Sequence, residues 1–180
     1  MTRFITVLFT LLFSVSAFSQ KKEINWMTFE EVEEAMKEEP RKVVVDVYTT
    51  WCGPCKMMMK QTYGDDEVID YINEHYYAVK FDAESPDPVT FQNQTFENPG
   101  YDPNKRGRNS THQLTGAIAS KQGRIAYPTT TFLSKELQGL TLIQGFLRPP
   151  QFLPILVFFA EDYHTKMSHE EFMENVYNAE

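Results

Sequence analysis

Val43-Val44-Val45-Asp46-Val47-Tyr48-Thr49-Thr50-Trp51-Cys52-Gly53-Pro54-Cys55-Lys56-Met57-Met58 runs from an apolar, β-branched stretch straight into two cysteines separated by two residues. The run Val43 to Tyr48 has the composition of a strand buried on both faces. Cys52 and Cys55 are the only cysteines in the chain, and their spacing is that of one helical turn. If a helix begins at Gly53, both sulfurs sit at its N-terminal end. The unpaired N–H groups and the positive end of the helix dipole there favour thiolate over thiol. A free thiol with a pKa of about 8.5 is only about 3% ionised at pH 7, so a drop of one to two units yields a reactive nucleophile. The motif points to thiol–disulfide exchange. A two-residue loop closes too little chain to stabilise a fold much through entropy, which weighs against a purely structural disulfide.

Elements extend outward from this stretch on both sides. Upstream, Thr28-Phe29-Glu30-Glu31 reads as a capping box, opening a helix that runs to Glu39 and stops at Pro40. Downstream, the cysteine helix continues through Gln61 and is interrupted at Tyr63-Gly64. Asp65 caps a second helical piece that turns Val68, Ile69 and Ile72 inward. Tyr76 to Asp82 is the next strand. Strand, helix and strand in alternation imply a parallel core with helices on its faces. Residues 83–111 break the pattern with four prolines, several Asn and Gln, and Lys105, Arg106 and Arg108. Within them Val89 to Phe96 alternates around Gln92-Asn93 as a small hairpin would. A loop of this size in one domain is functional or poorly ordered. His112 to Ser120 reads as a short helix, and Thr129 to Leu133 and Leu140 to Phe146 as antiparallel strands. An apolar helix follows over residues 151–162, its start blurred by Pro149, Pro150 and Pro154. Ser168-His169-Glu170-Glu171 is a second capping box that starts a terminal helix.

The first 19 residues have a different character. Arg3 precedes the apolar stretch Phe4 to Phe13, and Ala17-Phe18-Ser19 before Gln20 is a small-x-small cleavage site. Residues 1–19 are expected to be a signal peptide, cleaved after Ser19, leaving a domain over residues 20–180. The apolar stretch falls short of the roughly 20 residues needed to span a bilayer, and no cysteine near the cleavage site offers a lipid attachment point. Without Arg3 the chain keeps 16 basic and 25 acidic side chains, a net charge of −9. That excludes a nucleic-acid-binding role as the default. Export places the cysteines in an oxidising compartment, periplasmic or extracellular.

The segment VVVDVYTTWCGPCKMM resembles the thioredoxin superfamily, and the likeness extends over roughly residues 24–162. Asp46 six residues before the motif, and Tyr127-Pro128 opening a later strand, add to it. The resemblance implies an α/β thioredoxin fold, a central mixed sheet flanked by helices, here with an insertion at about residues 83–111 and an extra C-terminal helix. The helix broken at Tyr63-Gly64 resembles exported, periplasmic members. The resemblance also implies roles. Cys52 attacks a substrate cysteine, and Cys55 resolves the mixed disulfide. Asp46 exchanges a proton with Cys55, in keeping with a carboxyl whose burial raises its pKa. Pro128 is a cis-proline facing the cysteines, and Tyr127 presents its backbone to an extended substrate. Trp51, Gly53 and Pro54 line the docking surface. Gly145 either keeps that surface flat or is a plain turn glycine.

Gly-Pro between the cysteines resembles reducing members more than oxidising ones, so a reductase of protein disulfides is expected. A disulfide oxidase or isomerase and a non-catalytic binding module are the alternatives. An exported reductase needs an electron donor, and a membrane-embedded relay is implied. No cofactor beyond the redox-active pair is expected, and no stable membrane insertion. Met57, Met58 and Met59 are soft potential copper ligands, but consecutive helical residues point apart and methionine is a common packing filler. Histidines 75, 112, 164 and 169 show no metal-ligand spacing, so no metal is expected. His112 is expected at the surface, and Lys105, Arg106 and Arg108 on a solvated loop.

Overall fold

Strand β2 (Lys42–Tyr48) is buried along nearly its whole length and forms the centre of a five-stranded sheet in the computed structural model, which describes residues 21–179. The signal peptide expected at residues 1–19 lies outside the described residues. The strand order is β1 (Trp26–Met27), β3 (Tyr76–Asp82), β2, β8 (Thr129–Leu133), β9 (Gly139–Gln144). The first three are parallel, while β8 and β9 run antiparallel to their neighbours. The sheet is therefore mixed, as the family resemblance implies, and not wholly parallel.

The period-two alternation of β2 divides its side chains between two cores. Val43, Val45 and Val47 join Phe29 and Val32 of helix α1 (Phe29–Glu38), Phe91 of the hairpin β4–β5 (Val89–Phe91, Gln94–Phe96), and Leu114 and Ile118 of α4 (Gln113–Ile118). On the opposite face Val44 and Phe132 pack with Met58 of α2 (Gly53–Gln61). Val68, Ile69 and Ile72 of α3 (Asp66–His75) complete that core with Phe152 and Leu156 of α5 (Pro149–Ala160). Asp46 has the same parity as Val44, so it faces the helix that carries the cysteines.

Local signals set the helix ends. Thr28 and Glu31 form the reciprocal capping box of α1, and Asp65 Oδ1 accepts from the N–H groups of Glu67 and Val68 at the head of α3. Helix α5 begins two residues before the expected 151, because Pro149 and Pro150 occupy the first turn, where the missing N–H groups have no helical partner to lose. Ser168 and Glu171 cap the short α6 (His169–Phe172), whose fully buried Phe172 packs on Phe158 of α5. The insertion contains the expected hairpin and is stapled at its base. The His112 N–H donates to the Ala83 carbonyl (2.8 Å), and the Asn98 amide donates to the carbonyls of Ser85 and Ser110 (both 3.0 Å). A further hairpin, β6–β7 (Ser120–Lys121, Arg124–Ile125), precedes Pro128 and was not foreseen from the sequence. No helix among the described residues is long and apolar enough to cross a membrane.

Candidate active site

The chain leaves β2 at Tyr48 and enters α2 at Gly53, after four linking residues. Cys52 is the N-cap of α2, and Pro54 lies in its first turn. A first-turn proline fits here because its fixed φ suits a helix start and its missing N–H costs nothing. Cys52 and Cys55 are joined in a disulfide. The backbone N–H of Cys55 points at Cys52 Sγ from 3.1 Å. It is one of the orphan donors of a helix N-terminus, so any negative charge on that sulfur is met by a donor and by the helix dipole.

The two cysteines open onto different clefts. Cys52 lines an open cleft of about 550 Å³ with Trp51, Gly53, Pro54 and Tyr127, which brings together all but Pro128 of the docking residues expected from the sequence. Pro128 is buried one residue on, and its bond to Tyr127 is cis. The Gly145 N–H donates to the Pro128 carbonyl (2.8 Å) from a φ of +107°, a conformation glycine reaches without strain. Gly145 thus holds the proline segment against the end of β9. A Cβ added to Gly53 would meet nothing within 4 Å, so the helix head faces open space. Cys52 itself is only 2% exposed. It is less accessible in the disulfide form than its place at the helix end suggests, because Trp51, Tyr127 and the insertion wall its cleft.

Cys55 lines a second cleft, of about 590 Å³, together with Asp46, Thr49, Lys56, Lys60 and Lys80. Asp46 is 2% exposed, and its Oδ1 has no hydrogen-bond partner within the protein. Lys80 stands opposite it in the β2–β3 register, but its ammonium sits over the Tyr48 ring, 4.9 Å from the centroid, and makes no ion pair among the described residues. Burial therefore pushes the Asp46 carboxyl up to about 7, against the weaker attraction of Lys80. A carboxyl poised near neutrality beside the inner cysteine can take up or give a proton there.

Sequence reasoning missed a set of residues that the insertion contributes. Glu84 Oε2 accepts from Trp51 Nε1 (3.0 Å) and from the Asn109 backbone N–H (2.9 Å). The Trp51 ring meets Tyr127 edge-on at 5.9 Å and carries the Arg108 guanidinium 4.3 Å from its centroid. Arg108 is therefore at the site and not simply on a solvated loop. The basic run around it was visible in the sequence, but its pairing with Trp51, 57 positions away, was not. His112 also departs from expectation. It is fully buried, its Nδ1 accepts from the Leu114 N–H (3.2 Å), and burial lowers its pKa. It caps α4 and packs edge-on against Phe81. Met57 is exposed, Met58 buried and Met59 half-buried, so the three do not converge.

Comparison with known proteins agrees with this architecture. The chain is 30% identical over 95 residues to the chloroplastic thioredoxin Y of rice (Oryza sativa subsp. japonica), a match covering 53% of this chain and 54% of that protein. It thus spans about half the length of that relative. Among solved structures, a thioredoxin-fold protein from Helicobacter pylori superposes with a TM-score of 0.54 at 17% identity, covering 86% of this chain and 83% of that one. A thioredoxin from Thermus thermophilus superposes with a TM-score of 0.53 at 15% identity, covering 75% and 85%. These two likenesses speak to the fold. The family profile for a thioredoxin-like domain matches residues 29–160, which takes in every strand of the main sheet but β1 and both cysteines. The chain belongs to the thioredoxin-like family.

Proposed function

We propose that this protein is an exported thiol–disulfide oxidoreductase that reduces disulfides in other proteins through Cys52 and Cys55. The observation that carries the reading is the Cys55 N–H aimed at Cys52 Sγ from the head of α2, beside a cleft open to a polypeptide. In the dithiol form the Cys52 thiolate attacks one sulfur of a substrate disulfide, and the other substrate sulfur leaves as a thiolate. Cys55, passing its proton to Asp46, then attacks Cys52 Sγ and displaces the second substrate thiolate. The substrate has gained two electrons, its two thiolates take up protons from solvent and from Asp46, and the protein is left as the Cys52–Cys55 disulfide. A dithiol donor must return it to the starting state, a role we assign to a membrane-borne relay. Gly53-Pro54 between the cysteines favours the reducing direction. The leader-like residues 1–19 favour a periplasmic or secreted location after cleavage at Ser19.

Reduction of insulin disulfides with dithiothreitol as donor tests the reading. Cys52→Ser should lower the rate roughly 10³-fold or more, as loss of a nucleophile does. Cys55→Ala should leave Cys52 joined to substrate proteins as a mixed disulfide on non-reducing gels. Wild-type rates from Cys52→Ser would end the catalytic reading.

A further inference from the structure

The insertion reaches the active site through one carboxylate. Glu84 Oε2 holds Trp51 Nε1 on one side and the Asn109 N–H on the other, so the loop that follows Gly107 is pinned to the tryptophan that precedes Cys52. Thr111 and Tyr127 line the same cleft. Next to the Glu84 anchor, Arg108 lies over the ring of Trp51. A guanidinium over a ring makes a cation–π contact that consumes none of its N–H donors. Arg108 is exposed, and no carboxylate of the described residues comes within 4.0 Å of it, Glu84 included. It lines the same cleft as Cys52. Lys105 and Arg106 stand just before it, which makes this rim locally basic in a chain of net charge −8. A guanidinium with no carboxylate partner among the described residues, lining the cleft that Cys52 lines, is suited to receive a carboxylate from an incoming polypeptide.

On the reading that Cys52 exchanges with protein disulfides, we infer that Arg108 forms a carboxylate-binding subsite next to Cys52, through which the insertion selects substrate disulfides flanked by Asp or Glu. The substrate cysteine sits at Cys52, and its acidic neighbour meets the N–H edge of Arg108. Glu84 and Trp51 act as positioning residues that fix the guanidinium. Arg108 is a specificity-determining residue and takes no part in the sulfur exchange.

The test uses three synthetic peptide disulfides, identical except for Glu, Gln or Lys on both sides of each cysteine. Pre-reduced protein is mixed with each, and its single-turnover oxidation is followed by tryptophan fluorescence. The expected order is Glu over Gln over Lys. The Glu-to-Lys ratio should be roughly 10-fold, the size of a partly screened charge contact counted as both an attraction and a repulsion. It should fall toward one at about 1 M salt, where the screening length is about 3 Å. R108E should reverse the order, and R108K should keep it with a smaller ratio, since an ammonium lacks the planar fork. Equal rates for the three peptides with the wild type, an order that survives R108E, or an equal loss on all three in R108E would each overturn the subsite. If no peptide oxidises the reduced protein, the oxidoreductase reading fails with it; equal, measurable rates sink the subsite alone.

Discussion

Asp46 is the residue whose environment most clearly differs from its ordinary one. Its carboxyl ionises near 3.8 when free and at about 7 in the folded protein, because burial outweighs the attraction of Lys80. Below about pH 4 both states hold the proton, and Asp46 does not make stability pH-dependent. Between about pH 4 and 7 only the unfolded chain releases it, so stability falls as pH rises through that window and stays low above it. The full effect is at most about 4 kcal/mol, the separation of the two values at 1.36 kcal/mol per pH unit. Asp46→Asn should remove this slope. Relative to the wild type, the variant's urea midpoint should rise from about pH 4 to about pH 7 and then level off, in the disulfide form. A difference between the two proteins that does not vary with pH would show that the carboxyl is already ionised in the fold at pH 4.

At the scale of elements, the break between α2 and α3 is set by one close approach. A Cβ on Gly64 would lie 2.6 Å from the Lys60 carbonyl oxygen and 3.3 Å from its carbon, both backbone atoms. Gly64 has no positive φ, so the need for glycine comes from space. It lets the chain fold back over the end of α2 and bury Tyr63 against Trp26 and Phe152. Gly64→Ala must push backbone apart and should cost about 1–3 kcal/mol, as overpacking does, read as a lower urea midpoint with an unchanged slope. This element was legible in advance because its signals are local: a Tyr-Gly break, an Asp cap and a helical apolar period. The same holds for α1, β2 and the Gln92-Asn93 hairpin. The hairpin β6–β7 is not legible in the sequence because strands of two residues carry no period. His112 is buried and not at the surface because its ring is held by Phe81 and the Asp87 carbonyl, partners in segments far along the chain. Cys52, Cys55 and Asp46 were likewise readable from one contiguous stretch. Glu84 and Arg108 became visible only when folding brought the insertion back to Trp51.

For the whole molecule, the question is whether the insertion is an appendage or part of the fold. Its ends are tied to the end of β3, and its hairpin is bonded to α1, the Thr90 and Gln92 N–H groups donating to Glu30 and Glu33. Phe91, at 6% exposure, packs against Phe29 with ring centroids 4.9 Å apart and planes tilted by 54°, inside the core that α1, β2, β3 and α4 share. A segment that supplies a core side chain cannot open without exposing the rest of that core. It should therefore unfold together with the sheet. Phe91→Ala removes a ring that no nearby chain can replace and should destabilise the protein by about 3–5 kcal/mol, the usual range for a buried phenylalanine. The transition should stay single, with tryptophan fluorescence and far-ultraviolet circular dichroism falling at the same urea concentration. Trp51 and Trp26 make the measurement discriminating, since Trp51 is held by the insertion through Glu84, whereas Trp26 packs on Tyr63 in the other core. If the insertion were an independent flap, fluorescence from Trp51 would change before the circular dichroism does. The loss from Phe91→Ala would then be small, because the core beneath would already be closed without it.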